Sequence, residues 1–238
     1  MKFFLATVLL AYQTLALAAD ENSLRNEAEA GIIISSGNSK SQTYSLQDVT
    51  TYKWPSQVLT FNGKYLQTTS NNIESANYWT LGVRFEQVLS DRFNIYLGQN
   101  IESNIYAGFI QRYNTDIGGK YMIIKEEDLN WFAEAGYRYA LTNQIPSGAQ
   151  SGVHLIRLYT EVNKSWDKTV STKLWVEGTP NITNSNGYRV SGEASMSVVL
   201  TSVFSVKTAY LVKYDNAPPP GIVLNTDTFF TTSLVAKF

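Results

Sequence analysis

The feature that most constrains this chain is its final stretch, Leu224 to Phe238 (LNTDTFFTTSLVAKF). Thr228, Phe230, Thr232, Leu234, Ala236 and Phe238 share one parity, while Asp227, Thr231, Ser233 and Lys237 share the other, with Phe229 and Val235 intruding. A period of two is that of a β-strand with one apolar and one polar face. A strand that runs up to its last residue on an aromatic side chain needs a partner for its free edge. Pairing with the first strand of the same chain, which closes a barrel, supplies one.

The rest of the sequence repeats the pattern. Eleven earlier segments of similar length alternate apolar and polar residues, separated by turn residues. The fourth is the clearest, with Trp79, Leu81, Val83 and Phe85 opposite Thr80, Gly82, Arg84 and Glu86. The second is irregular, because Asp48 shares a face with Tyr44, Leu46, Tyr52 and Trp54; either a bulge shifts the parity or Asp48 is out of place. The spacing therefore predicts an all-β, antiparallel transmembrane β-barrel of about twelve strands. Links after strands 2, 4, 8 and 10 read as tight, and those after 3, 7, 9 and 11 as longer. Short turns on one side and long loops on the other put both termini on the periplasmic side.

Composition supports a membrane barrel over a soluble sandwich. Charged residues are 16% and aromatics 13%, including 15 Tyr, against about 25% charged in soluble domains. Met1 to about Ala19 reads as an export signal, with Lys2, an apolar run from Phe3 to Leu10, and Ala16-Leu17-Ala18 before the cleavage site. Residues 20–238 then form one barrel domain. The chain has no Cys, which excludes a disulfide scaffold, and its net charge of −1 gives no field for nucleic acid. Trp54, Phe93, Trp131 and Phe238 fall at one set of strand ends, and Trp79, Tyr139, Tyr188 and Tyr214 near the other. Two such girdles are expected at membrane interfaces, where an aromatic ring is apolar and its polar tip stays wet.

The terminal Phe after alternating apolar residues resembles the C-terminal signal of bacterial outer-membrane proteins. Gly37-Asn38-Ser39, the spaced Gly108, Arg112, Gly118, Gly119 and Tyr121, and Gly136-Tyr137-Arg138 resemble a family of Gram-negative outer-membrane proteins of unknown function. Some of its members are called salt-induced outer-membrane proteins. Asn104 and Tyr106 stand where that pattern has an acidic residue and Phe. The resemblance implies an outer-membrane barrel and no agreed activity.

The polar face is where function would lie. Arg84, Glu86, Glu102, Arg112, Asp116, Lys120, Glu134, Arg138, Arg157, Glu161, Arg189 and Glu193 are expected to line the lumen. Acids and bases are near balance. Residues four apart on a strand are ~13 Å apart, so pairing is expected across strands rather than along one. Tyr159, Phe132 and Trp175, the last on the polar side of its strand, would occupy part of the bore. A selective pore shows rings of one sign. The balance favours a structural or stress-related barrel with an ion-paired lumen, and the alternative is a narrow, weakly selective channel. A lipid hydrolase is the remote third reading, since the only His, His154, has Val153 and Leu155 beside it and no acidic partner nearby in sequence. No cofactor or metal is expected. The expected partners are outer-membrane lipid and the barrel-assembly machinery, through the C-terminal strand; the sequence does not set the oligomeric state.

Overall fold

The computed structural model describes residues 23–35, 41–145, 148–183, 187–218 and 224–238. The export signal, the turn at Ser36 to Ser39 and part of the proline run lie outside these residues. Twelve strands follow one another: β1 (Ser23–Ser35), β2 (Ser41–Lys53), β3 (Gln57–Ser70), β4 (Ile73–Val88), β5 (Phe93–Asn104), β6 (Phe109–Lys125), β7 (Leu129–Gln144), β8 (Gln150–Ser165), β9 (Val170–Pro180), β10 (Tyr188–Val199), β11 (Phe204–Asp215) and β12 (Thr226–Lys237). Each pairs antiparallel with its sequence neighbour, and β12 pairs with β1, so the sheet is a closed barrel. Closure leaves no exposed edge, the condition for a sheet to span lipid. No helix among the described residues is long and apolar enough to cross a membrane.

The barrel is inverted relative to a soluble protein. Leu81, Leu97, Ile117 and Leu158 are 60%, 55%, 58% and 50% exposed on its outside, while Arg112, Glu134, Arg157 and Glu193 are buried within. The alternation in sequence places these two sets on opposite faces of the same strands. Strands of up to 17 residues exceed the 9–11 residues that cross a bilayer, so the wall projects beyond the membrane.

Two expectations change here. The link after β3 is not a long loop: it is the two-residue turn Asn71-Asn72, both residues at positive φ (49° and 65°). Positive φ at both central positions is the geometry of a tight hairpin, and Asn tolerates it better than most residues. The other links hold their pattern, with three or four residues at the end carrying the termini and up to ten at the far end. Asp48 faces outward, and β2 runs in unbroken register with both neighbours; the bulges lie elsewhere, in β3–β4, β5–β6 and β6–β7. Its carboxylate stays there because it accepts hydrogen bonds from Asn26 Nδ2 (2.9 Å) and Thr50 Oγ1 (3.0 Å), which satisfies a group that would otherwise be bare in an apolar face.

The two-faced wall yields a test. Leu81→Arg is expected to cost ~2–4 kcal/mol, the cost of a lipid-facing Arg at mid-membrane. Thr80→Ser, on the inner face one residue away, should cost under about 0.5 kcal/mol. Gly82 is a poor control, because an added Cβ there would sit 2.8 Å from the Asn62 amide. Unfolding titrations in lipid vesicles read the difference, and equal effects would mean the faces are assigned the wrong way round.

Candidate functional site: a charged and aromatic lumen

The inward side chains of β4 to β9 form one ion-paired wall. Arg84 on β4 reaches past β5 and β6 to hold both carboxylate oxygens of Glu134 on β7, at 2.7 and 3.0 Å, while its Nε donates to Glu86 at 2.8 Å. Arg157 on β8 donates to the same Glu134 (2.5 Å), to Glu177 on β9 (2.6 Å) and to the Tyr96 hydroxyl (3.1 Å). Arg138 joins Asp116, its cross-strand partner, at 2.6 Å and Glu177 at 2.9 Å. Planar guanidinium forks matched to carboxylates make these bonds strong and directional.

Glycine makes the wall possible. Tyr96 lies over the cross-strand pair Gly118 and Gly136, where an added Cβ would fall 2.6 and 2.7 Å from the Tyr96 hydroxyl. The Arg84 guanidinium lies over the ring, 3.9 Å from its centre, a cation–π contact. Tyr96 is thus seated in a slot with no side chain and covered by a charge.

A second cluster lies opposite. Lys207 on β11 pairs with Glu29 on β1 (3.0 Å) and with Glu193 on β10 (3.7 Å). Two contacts cross the bore between strands five places apart in a ring of twelve. Lys64 on β3 lies 3.9 Å from Glu193 on β10, and the Lys213 ammonium on β11 sits 3.7 Å from the centre of the Tyr78 ring on β4. They narrow the lumen without filling it. A cavity of about 1450 Å³ remains, lined from Arg25 and Lys164 at the terminus end to Pro218 and Asn225 at the far end.

All twelve residues expected in the lumen face inward by register and pair there. Lys120 and Glu86 lie 3.5 Å apart, Lys173 and Glu161 3.0 Å, and Arg189 and Asp215 2.9 Å. These pairs cross strands, as expected: Arg112 meets Glu102 (3.3 Å), and Glu134 is held by Arg84 and Arg157. Pairing along a strand occurs at Arg84/Glu86, because side chains two residues apart share a face and are only ~7 Å apart at the backbone. Tyr78, Tyr96 and the Lys64, Lys207 and Lys213 ammoniums complete the lumen. Each tyrosine adjoins bulky outward residues, Trp79 or Ile95 and Leu97, which mask its inward parity in the sequence.

The eight girdle aromatics all lie on outward parity. Tyr188 and Tyr214 rings lie 5.8 Å apart, and Trp131 Nε1 donates to Thr160 at 2.9 Å. Tyr214 and Phe238 also border the ends of the lumen. Tyr44, Tyr52, Tyr65, Tyr113, Tyr121 and Tyr137 share the outer face, so the aromatic cover is broader than two rings. His154 is outward; its Nδ1 meets the Tyr137 hydroxyl and its ring lies against Tyr139. Among the described residues no group of His, Asp or Glu is arranged to hold a metal ion. Outside the membrane span, the backbone N–H groups of Thr169 and Val170 donate to the Asp167 carboxylate (2.6 and 2.8 Å), lock the β8–β9 turn and hold its pKa below the usual carboxylate value.

A closed antiparallel barrel, apolar outside and charged within, defines the class of porin-like outer-membrane β-barrels. Within that class, the chain belongs to the family described as "Protein of unknown function, DUF481", whose sequence model matches residues 28–238. Among solved structures, an outer-membrane channel from Pseudomonas putida F1 superposes with a TM-score of 0.53 at 10% identity, covering 94% of this chain and 97% of that one. The NanC porin gives a TM-score of 0.49 at 12% identity, over 90% and 98% of the two chains. At 10% identity the likeness to the Pseudomonas channel is one of fold alone. No curated protein matches the sequence.

Proposed function

We propose that the protein is an exported outer-membrane channel of narrow bore and weak ion selectivity, with its termini in the periplasm. The observation that carries this reading is the cavity of about 1450 Å³ whose lining reaches from one end of the barrel to the other. Spread over the ~25 Å apolar band of a membrane barrel, that volume is an average cross-section of roughly 60 Å². Water and small solutes fit such a bore; folded chains do not. The mixed signs of the lining leave no strong potential to select anions or cations. The short turns beside the termini support the orientation. The outer face meets lipid, and the edge of β12 is the segment that assembly machinery would engage.

One observation favours a second reading, a structural barrel whose lumen does not conduct: the Lys64–Glu193 and Lys213–Tyr78 contacts cross the bore. Planar-bilayer recording separates the two. The channel reading expects small steps with near-zero reversal potential under a salt gradient, rising at least about twofold in the Lys64→Ala/Tyr78→Ala variant, which removes both ties. Silence in both proteins would establish the structural reading. Large, strongly selective steps in the unmodified protein would overturn the narrow, balanced lumen.

A further inference from the structure

Three aromatic side chains stand on the polar face of adjacent strands. Phe132 on β7, Tyr159 on β8 and Trp175 on β9 all line the lumen, with successive ring centres 5.9 Å apart and the Tyr159 and Trp175 planes only 24° from parallel. Of five Trp in the chain, Trp175 alone belongs to an inward register position; Trp54, Trp79 and Trp131 face out and Trp166 lies in a turn. Its cross-strand neighbours are Glu161 and Glu193. Glu193 is also one foot of the Lys64 tie, so a solute passing that constriction passes the indole.

Surroundings decide what the rings could hold. Lys120 lies 4.2 Å from the centre of the Phe132 ring, and the Arg157 guanidinium 4.9 Å from that of Tyr159. A cationic solute would meet these charges already on the ring faces. An anionic one would meet Glu161, Glu177 and Glu193 around Trp175. The hydrogen-bonding groups beside the indole are held in place. Glu161 accepts from the Tyr159 hydroxyl (2.5 Å) and Asn163 Nδ2 (2.8 Å) and pairs with Lys173 (3.0 Å). The site therefore offers a flat apolar face with fixed polar groups along its edge and no excess of either charge. A pyranose ring has the complementary form: C–H groups on one face, which meet the electron-rich face of an indole, and hydroxyls around its rim.

We infer that Trp175, flanked by Tyr159 and Phe132, is a binding platform for a neutral pyranose unit of an oligosaccharide in the lumen. The inference rests on the channel reading for its route, but the site can be tested without conduction. Maltotriose, trigalacturonate and triglucosamine serve as neutral, anionic and cationic probes of refolded protein, by titration calorimetry. Maltotriose is expected to bind at least about tenfold more tightly than either charged trisaccharide. Trp175→Ala should weaken maltotriose about tenfold, and Trp175→Phe, which keeps a ring face, by no more than about threefold. The Trp emission lost in Trp175→Phe should be the part that maltotriose perturbs, and unheated-sample gel mobility checks that each variant is folded. No maltotriose heat up to ~10 mM, tighter binding of a charged probe, or an unchanged affinity in Trp175→Ala would each overturn the platform. A protein that conducts but fails these titrations keeps the channel and loses the sugar site. One that binds maltotriose but never conducts loses the channel and keeps the site.

Discussion

Arg157→Leu is expected to destabilise the folded barrel by about 3 kcal/mol, toward the lower end of the ~3–5 kcal/mol lost when one partner of a buried pair is removed. Its guanidinium is the hub of the wall, joining Glu134, Glu177 and the Tyr96 hydroxyl at 2.5, 2.6 and 3.1 Å. Removing it leaves Glu134, whose side chain is 3% exposed, with Arg84 alone, and Glu177 with Arg138 alone. Water in the adjoining lumen softens the loss, which is why the low end applies. Adding Glu177→Gln should recover part of it, because one of the stranded charges then disappears. Arg189→Leu is the control: it breaks a single pair with Asp215 whose side chains are 32% and 28% exposed, and such pairs are worth under about 1 kcal/mol. Denaturant titrations in vesicles compare the three. If Arg157→Leu and Arg189→Leu cost the same, the wall is not a coupled network.

That network marks the limit of what alternation reveals. Parity alone places Arg84, Glu134, Arg157 and Glu177 on the inner face, because a strand gives its side chains only two directions. It cannot say that Arg84 passes over β5 and β6 to reach Glu134, with the Tyr96 ring beneath its guanidinium and the Tyr96 hydroxyl over Gly118 and Gly136. Those glycines were legible as part of a family pattern, but their physical reason needed the neighbouring strand. The Lys64–Glu193 contact is hidden for a different reason. It joins residues 129 apart whose meeting is set by the barrel's diameter and stagger, quantities of the closed ring and not of any segment. Asp48 failed the parity rule and still lies where the rule put it, because Asn26 and Thr50 make a polar group tolerable on the outer face. The Asn71-Asn72 turn was within reach. Two adjacent asparagines are a hairpin signal, outweighed by the expectation that far-end links are long.

Closure is where a small change should have the largest effect on assembly. The β1–β12 seam is held by five register pairs, Glu27↔Lys237 to Gly31↔Ser233, extended by the reciprocal backbone bonds of Asn26 and Phe238 at 2.9 Å. By contrast, β1–β2 runs through thirteen pairs, Ser23↔Lys53 to Ser35↔Ser41. Gly31→Val would set a Cβ 2.8 Å from the Thr232 carbonyl oxygen and 2.7 Å from Ser233 Oγ. The hydroxyl can turn away, but the carbonyl belongs to the β12 backbone, so the strands must part. Phe238→Asp attacks the same seam from its other end. It replaces the ring with a carboxylate on the outward parity of the closing strand beside Asn26, and a charge there opposes insertion of the closing strand. Both variants are expected to lose most of the heat-modifiable species, the compact form that migrates faster before boiling, with export unaffected. Gly178→Val is the matched control, since nothing lies within 4 Å of a Cβ at Gly178 on the β8–β9–β10 wall. If Gly31→Val and Phe238→Asp fold as well as Gly178→Val, barrel formation does not depend on this seam. If Gly178→Val fails as well, valine at a wall glycine blocks folding by itself, and Phe238→Asp alone reports on the seam.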